Sequence, residues 1–239
     1  MDINKLLETL DGNSGGNSSG RNWFKPRAGQ GRGKEGNQFQ IRFLPNKIEG
    51  ELPVFTLNQH YFRTKDGQVS GVCPKESGQS CPACDMFFAL VSTDTVKNDA
   101  TLRKALQKLA PTNRFYANIV DRNKDNAIAV FSMPYSVAQN LKEIIETQTA
   151  FKRDIFDLEN GFDIVFSMSA KGNIPQYGTM AVWPESTPAG VDLEEASDLE
   201  EAARQRELTT EAVGEVMEAL FTEGDTVSDS LMELYREAS

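Results

Sequence analysis

From Trp23 onward, apolar and polar positions alternate over much of the chain. Phe39-Gln40-Ile41-Arg42-Phe43-Leu44 is apolar at every second residue until Pro45, which predicts a strand that Pro45 stops. Leu52–Leu57, Arg114–Val120, Ile128–Met133 and Phe162–Met168 read the same way. Two of these runs, Phe115–Val120 and Ile128–Phe131, flank the polar stretch Asp121–Asn126 and predict a β-hairpin with a longer loop. Helical spacing of apolar residues appears instead at Cys84–Val91, Leu102–Leu109, Val137–Ile145 and through much of Leu193–Leu220. Short strands with inserted helices predict a mainly β, α+β fold. A small barrel or a sandwich fits, and a five-stranded oligonucleotide-binding (OB) barrel is compatible.

The ends of the chain differ from this body. Ile3, Leu6, Leu7 and Leu10 stand at helical spacing, and Asp11–Gly20 has the Gly/Ser/Asn composition of a flexible linker. Residues 1–20 are therefore expected to be an arm and 21–184 a core containing a subdomain at about 58–90. Residues 185–239 would be an acidic, partly helical C-terminal region.

Charge sharpens that division. The net charge is −10, but residues 185–239 hold 16 acidic side chains against 3 Arg, so 1–184 is slightly basic. The most basic stretch runs from Arg21 to Lys47, where seven cations face Glu35 alone. Two electrostatic faces on one chain leave an anionic partner open for the body. With 239 residues the chain can hold one sizeable domain plus an appendage, or two small domains. Met1–Lys5 has no basic flank leading into an apolar run, which predicts an intracellular protein whose cysteines stay reduced.

The clearest chemistry is H-x12-C-x7-C-x2-C, from His60 through Cys73 and Cys81 to Cys84. It contains the only histidine and all three cysteines. A Cys3His set fills the four tetrahedral positions of zinc, and Cys81-Pro82-Ala83-Cys84 supplies a close pair of thiolates from one turn. With every position taken by protein, one structural Zn2+ is expected rather than a catalytic ion. A thioredoxin-type redox pair is the competing reading, but no βαβ unit precedes the CxxC. Buried, unliganded cysteines are the plainer one. The chain shows no Ser/His/Asp set and no carboxylates at metal spacing, and GQGRGKEG lacks Walker spacing, so no enzyme is expected.

Single-stranded nucleic acid is held by cations along its phosphates and aromatic faces under its bases. Candidates for both roles are Trp23 and Lys25 after the linker, Arg42 in a strand, and Phe62 and Arg63 beside the metal histidine. Lys108, Arg114, Phe115 and Tyr116 lead into the hairpin, and Lys171 and Tyr177 flank a turn. Phe39, Phe43, Phe131 and Phe166 read as core. Of the adjacent pair Phe115 and Tyr116, strand geometry sends one inward and one outward, and Tyr116 is expected to be the exposed platform.

IRFLP (Ile41–Pro45), the Cys3His spacing and FYANIV (Phe115–Val120) occur here in the order in which T4-type phage single-stranded DNA-binding proteins carry them. Over about Trp23 to Tyr177 the chain resembles that helix-destabilising family. The resemblance implies an OB barrel beside a zinc subdomain, with DNA in a basic, aromatic-lined cleft near Arg42, Phe62, Arg114, Phe115 and Tyr116. It also implies work in phage DNA replication, recombination and repair, in the cytoplasm of an infected bacterial host. Partner proteins would be recruited through the acidic C-terminus, with self-association along DNA. Two features depart from the family: residues 1–20 contain Lys5 as their only cation, and the C-terminal region is regular enough for real helices. In its last segment Leu231, Met232, Leu234 and Tyr235 are the expected partner contacts. If the acidic region competes with DNA, deleting 185–239 should tighten binding. A zinc-stabilised protein adaptor and an RNA-binding regulator are the alternative functions.

Overall fold

The computed structural model describes residues 22–32, 37–65, 67–171, 174–221 and 224–238. The expected arm at 1–20 lies outside them. The chain divides into two compact units, each assembled from segments distant in sequence. Among the described residues, one comprises Leu57–Asn113 and those from Arg204 onward; the other comprises those from Asn22 to Thr56 and Arg114–Ala203. The expected C-terminal region, 185–239, is divided between the two units.

The second unit is built on a sheet. Its strands are β1 (Trp23–Phe24), β2 (Gln38–Phe43), β5 (Thr112–Asp121), β6 (Ala127–Met133), β7 (Phe162–Lys171), β8 (Ile174–Tyr177) and β9 (Ala181–Ser186). The order is β1-β6-β5-β2-β7, with β8 and β9 both pairing β7. Only β1 runs parallel to its neighbour. No pairing among the described residues closes this sheet into a barrel, so the architecture is a mixed sheet with several helices. The predicted hairpin forms with Tyr116 opposite Ser132, and Asp125 and Asn126 turn its loop at positive φ, a conformation these side chains tolerate.

Alternation decides the core face. Phe39, Ile41 and Phe43 of β2 join Ile119, Phe131, Ile164 and Phe166 in one buried cluster. The long helix α4 (Tyr135–Ala150) lays Val137, Leu141 and Ile144 onto it at helical spacing.

The first unit contains the hairpin of β3 (Phe55–Arg63) and β4 (Gln68–Val72), then helices α1 (Pro82–Leu90), α2 (Asp94–Asn98) and α3 (Ala100–Leu106). Most of the stretch at 58–72 is thus a strand pair. After α5 (Leu199–Arg204), the chain runs along β4. Val72 donates to the Arg206 carbonyl at 2.7 Å and Leu208 donates to the Val72 carbonyl at 3.0 Å. Gly71 permits this approach, because a Cβ there would lie 2.3 Å from the Arg206 oxygen. Helices α6 (Thr210–Leu220) and α7 (Thr226–Ala238) then complete a core of Phe62, Met86, Leu90, Leu106, Val213, Val216 and Leu231. No described helix is long and apolar enough to cross a membrane.

Candidate metal centre and nucleic-acid surface

The metal centre follows from period-2 geometry in β3. His60 and Phe62 point inward while Tyr61 and Arg63 point out. Cys73 leaves β4 into a 3-10 turn (Pro74–Ser77) that closes at Gly78 with φ of 74°. Cys81 caps α1, with Pro82 at the first helical position, and Cys84 sits one turn later. All four residues are buried, and their ligand atoms lie within 4.8 Å of one another. Cys81 Sγ is 3.3 Å and Cys84 Sγ 3.4 Å from His60 Nε2, and Cys73 Sγ is 3.6 Å from Cys84 Sγ.

This crowding shifts all three thiols. Cys81 is pushed down to about 4, chiefly by hydrogen bonding with Cys73 and then with His60. Cys84 is pushed up to about 11, chiefly by burial. Cys73 is also pushed up, by its hydrogen bond to Cys81 and by burial. One negative charge satisfies the pocket, and three need a cation at its centre. The arrangement is that of a closed structural metal site with all four donors supplied by protein. The ring of His60 stacks on Phe62 at 5.1 Å and 7°, so Phe62 is wholly buried beside the metal ligand rather than exposed to DNA.

The other expected DNA contacts divide sharply. Arg42 does lie on the opposite side of β2 from Ile41 and Phe43, but that side is covered too. Its guanidinium donates to Asp163 Oδ1 at 2.9 Å, to the Asp157 carbonyl at 3.3 Å, and to the carbonyl and hydroxyl of Thr187. It is fully buried and engaged, which removes it from the phosphate contacts. Tyr116 is 2% exposed, so the expected order of the pair reverses: Phe115 is half-buried and Tyr116 is core. The asparagine of FYANIV is likewise structural. Asn118 Nδ2 donates to the Ser197 carbonyl at 2.8 Å and its Oδ1 accepts from the Ser197 amide at 3.1 Å.

What remains in each unit is smaller, and only part of it is exposed. In the sheet unit, Tyr135 is 57% exposed at the start of α4, with its ring 6.4 Å from Phe115. Arg114 precedes Phe115 and lies near Tyr177, whose hydroxyl burial pushes up while Arg114 opposes. Trp23 sits edge-on to Tyr116 at 6.4 Å, Lys25 is exposed, and Lys171 is the last residue of β7. Tyr135 is not among the sequence candidates, because it lies just before the periodic run Val137–Ile145. Pro134 before it, marking a helix start, was the available signal. In the metal unit, Arg63 lies 5.7 Å over the ring of Tyr61, and Lys108 is exposed within reach of Asp225.

The expected partner-binding residues are not a free surface. Leu231 is fully buried, and Met232, Leu234 and Tyr235 pack against the same core.

A buried Cys3His centre in an α+β fold, with exposed aromatics beside arginines, is the equipment of a nucleic-acid-binding protein. The model of the family described as gp32 DNA binding protein like matches residues 34–219, and the chain belongs to that family, the T4-type single-stranded DNA-binding proteins. It is a DNA-binding family, not an enzymatic one. A search for similar curated proteins finds no match.

Proposed function

We propose that the protein coats single-stranded DNA without sequence preference and protects and presents the strand during phage replication, recombination and repair in the host cytoplasm. The observation that carries this reading is the family match over residues 34–219. The exposed Tyr61, Arg63 and Tyr135 and the half-buried Arg114, Phe115 and Tyr177 support it, and none of these residues implies a base-specific readout. We read the sheet unit as an opened OB-type barrel, consistent with its β5–β6 hairpin flanked by β1 and β2.

The ion is best read as zinc. Zn–S and Zn–N bonds in a tetrahedron set S···S near about 3.8 Å and S···N near about 3.5 Å. Three of the six donor pairs, at 3.6 Å and 3.3–3.4 Å, fit that frame, and all lie within 4.8 Å. Bound zinc neutralises the thiolates and cross-links β3, the turn after β4 and α1.

The acidic exposed faces of α6 and α7 are the surfaces we assign to partner proteins, in place of the buried apolar residues of α7. The test is a titration of the zinc-loaded protein with fluorescent oligo-dT, oligo-U and duplex DNA at two salt concentrations. Tight, salt-sensitive binding of oligo-dT over duplex supports the proposal. Preference for oligo-U, or binding to none, overturns it.

A further inference from the structure

The outer face of the sheet carries a second feature. On β2, β7 and β9 the core-facing residues are Phe39, Ile41, Ile164, Phe166 and Val182. The alternate residues face the other way, with Gln40 opposite Val165 and Val165 opposite Ala181. Small side chains at Val165, Ser167 and Ala181 leave a trough of about 430 Å³ along this face. Trp183, 40% exposed, forms one wall, and Arg32 and Gln38 form another. Arg32 is exposed, yet its guanidinium is anchored: it donates to Gln40 Oε1 at 3.2 Å and to the Arg122 carbonyl. Gln40 is held in turn by donating to Asp163 at 2.8 Å. An arginine has five N–H donors, so this anchoring leaves others for a ligand.

We propose that this trough is an additional single-strand subsite, which takes one nucleotide of a bound strand with its base on Trp183 and its phosphate on Arg32. The inference rests on the single-stranded DNA reading above. Three features favour this occupant. A flat aromatic wall suits any base, because every base has a π-face. A pre-positioned guanidinium suits a phosphate. The small residues between them leave the floor open. None of the lining residues belongs to the Arg114, Phe115, Tyr135 and Tyr177 surface. The trough would therefore lengthen the stretch of strand that one protein covers.

The zinc-loaded full chain, grown with 5-fluorotryptophan, gives one 19F resonance for each of its two tryptophans. Trp183→Phe assigns them. Anisotropy of labelled oligo-dT, followed on the same samples, reports binding independently. The expected result is a shift of the Trp183 resonance at saturation. Trp183→Ala, with unchanged circular dichroism, should bind oligo-dT about tenfold more weakly. Arg32→Gln should lower the magnitude of the salt slope by about one. A saturating anisotropy change with a stationary Trp183 resonance, or unchanged affinity of Trp183→Ala, overturns the subsite while leaving the DNA reading intact. A resonance that moves with dTMP but not with oligo-dT assigns the trough to free nucleotides and also overturns the proposal. Absence of any anisotropy change removes the DNA reading and the subsite with it.

Discussion

Arg42 and Asp163 form a solvent-excluded ion pair at 2.9 Å, and Arg122 reaches the second oxygen of the same carboxylate at 3.1 Å. The arginine of the IRFLP motif therefore ties β2 to β7 and to the chain around Thr187. Gly161 makes room for it, since a Cβ there would lie 2.7 Å from the guanidinium. Removing one partner of a buried pair costs about 3–5 kcal/mol. Arg42→Met is expected to lower the urea midpoint strongly, while the folded fraction keeps the wild-type salt slope for oligo-dT. A loss of slope without a loss of stability would return Arg42 to the DNA surface.

Asn118 and Ser197 exchange two hydrogen bonds, one in each direction. Asn118→Leu leaves a backbone amide and carbonyl of the C-terminal segment unpaired, at about 1–3 kcal/mol. Hydrogen exchange should then show lost protection around Ser197 before any change at the metal centre.

Metal removal should act on one unit. Chelation or Cys81→Ala is expected to abolish amide protection in Leu57–Asn113 and from Arg204 onward, while β2, β6 and β7 remain protected. Because Cys73 and Cys84 are pushed up without a metal, they are thiols in the apo form at neutral pH. Metal uptake must release their protons, and affinity must fall as pH is lowered. Proton release on zinc addition to apo protein, followed in weak buffer, checks the sign.

The C-terminal region cannot be removed cleanly. Deletion of 185–239 was expected to tighten DNA binding, yet Leu208, Val213, Val216 and Leu231 lie in the core with the metal ligands. Leu231→Ala alone should cost about 2–5 kcal/mol. The deletion should give a protein that loses metal and expresses poorly, measured by zinc content and thermal melting. Charge-reversing substitutions on the exposed Glu211, Glu218 and Glu233 are the proper test of competition with DNA.

Tyr135 should matter more than Tyr116 for affinity. Tyr135→Ala is expected to weaken oligo-dT binding about tenfold with little change in melting temperature. Tyr116→Ala should do the reverse, as a fully buried aromatic whose loss costs about 3–5 kcal/mol. Equal effects of the two substitutions on binding by folded protein would contradict the placement.

The four metal ligands were legible in the sequence because zinc chemistry limits both residue type and local spacing, and His60 to Cys84 is one short stretch. The β5–β6 hairpin and α4 were legible because alternation and helical periodicity are local too. What alternation does not tell is whether the second face of a strand is also covered. Arg42 and Tyr116 were read as outward-facing and are buried. In the case of Arg42, Asp163 stands 121 residues away and closes the other side of β2. The same holds for α7, whose apolar stripe is plain in the sequence. Only the pairing of β4 with the chain at Arg206–Leu208 carries that stripe onto the core of the metal unit. Local pattern determined which residues belong together on a face; contacts distant in sequence decided which faces meet water, and therefore which aromatics remain for DNA.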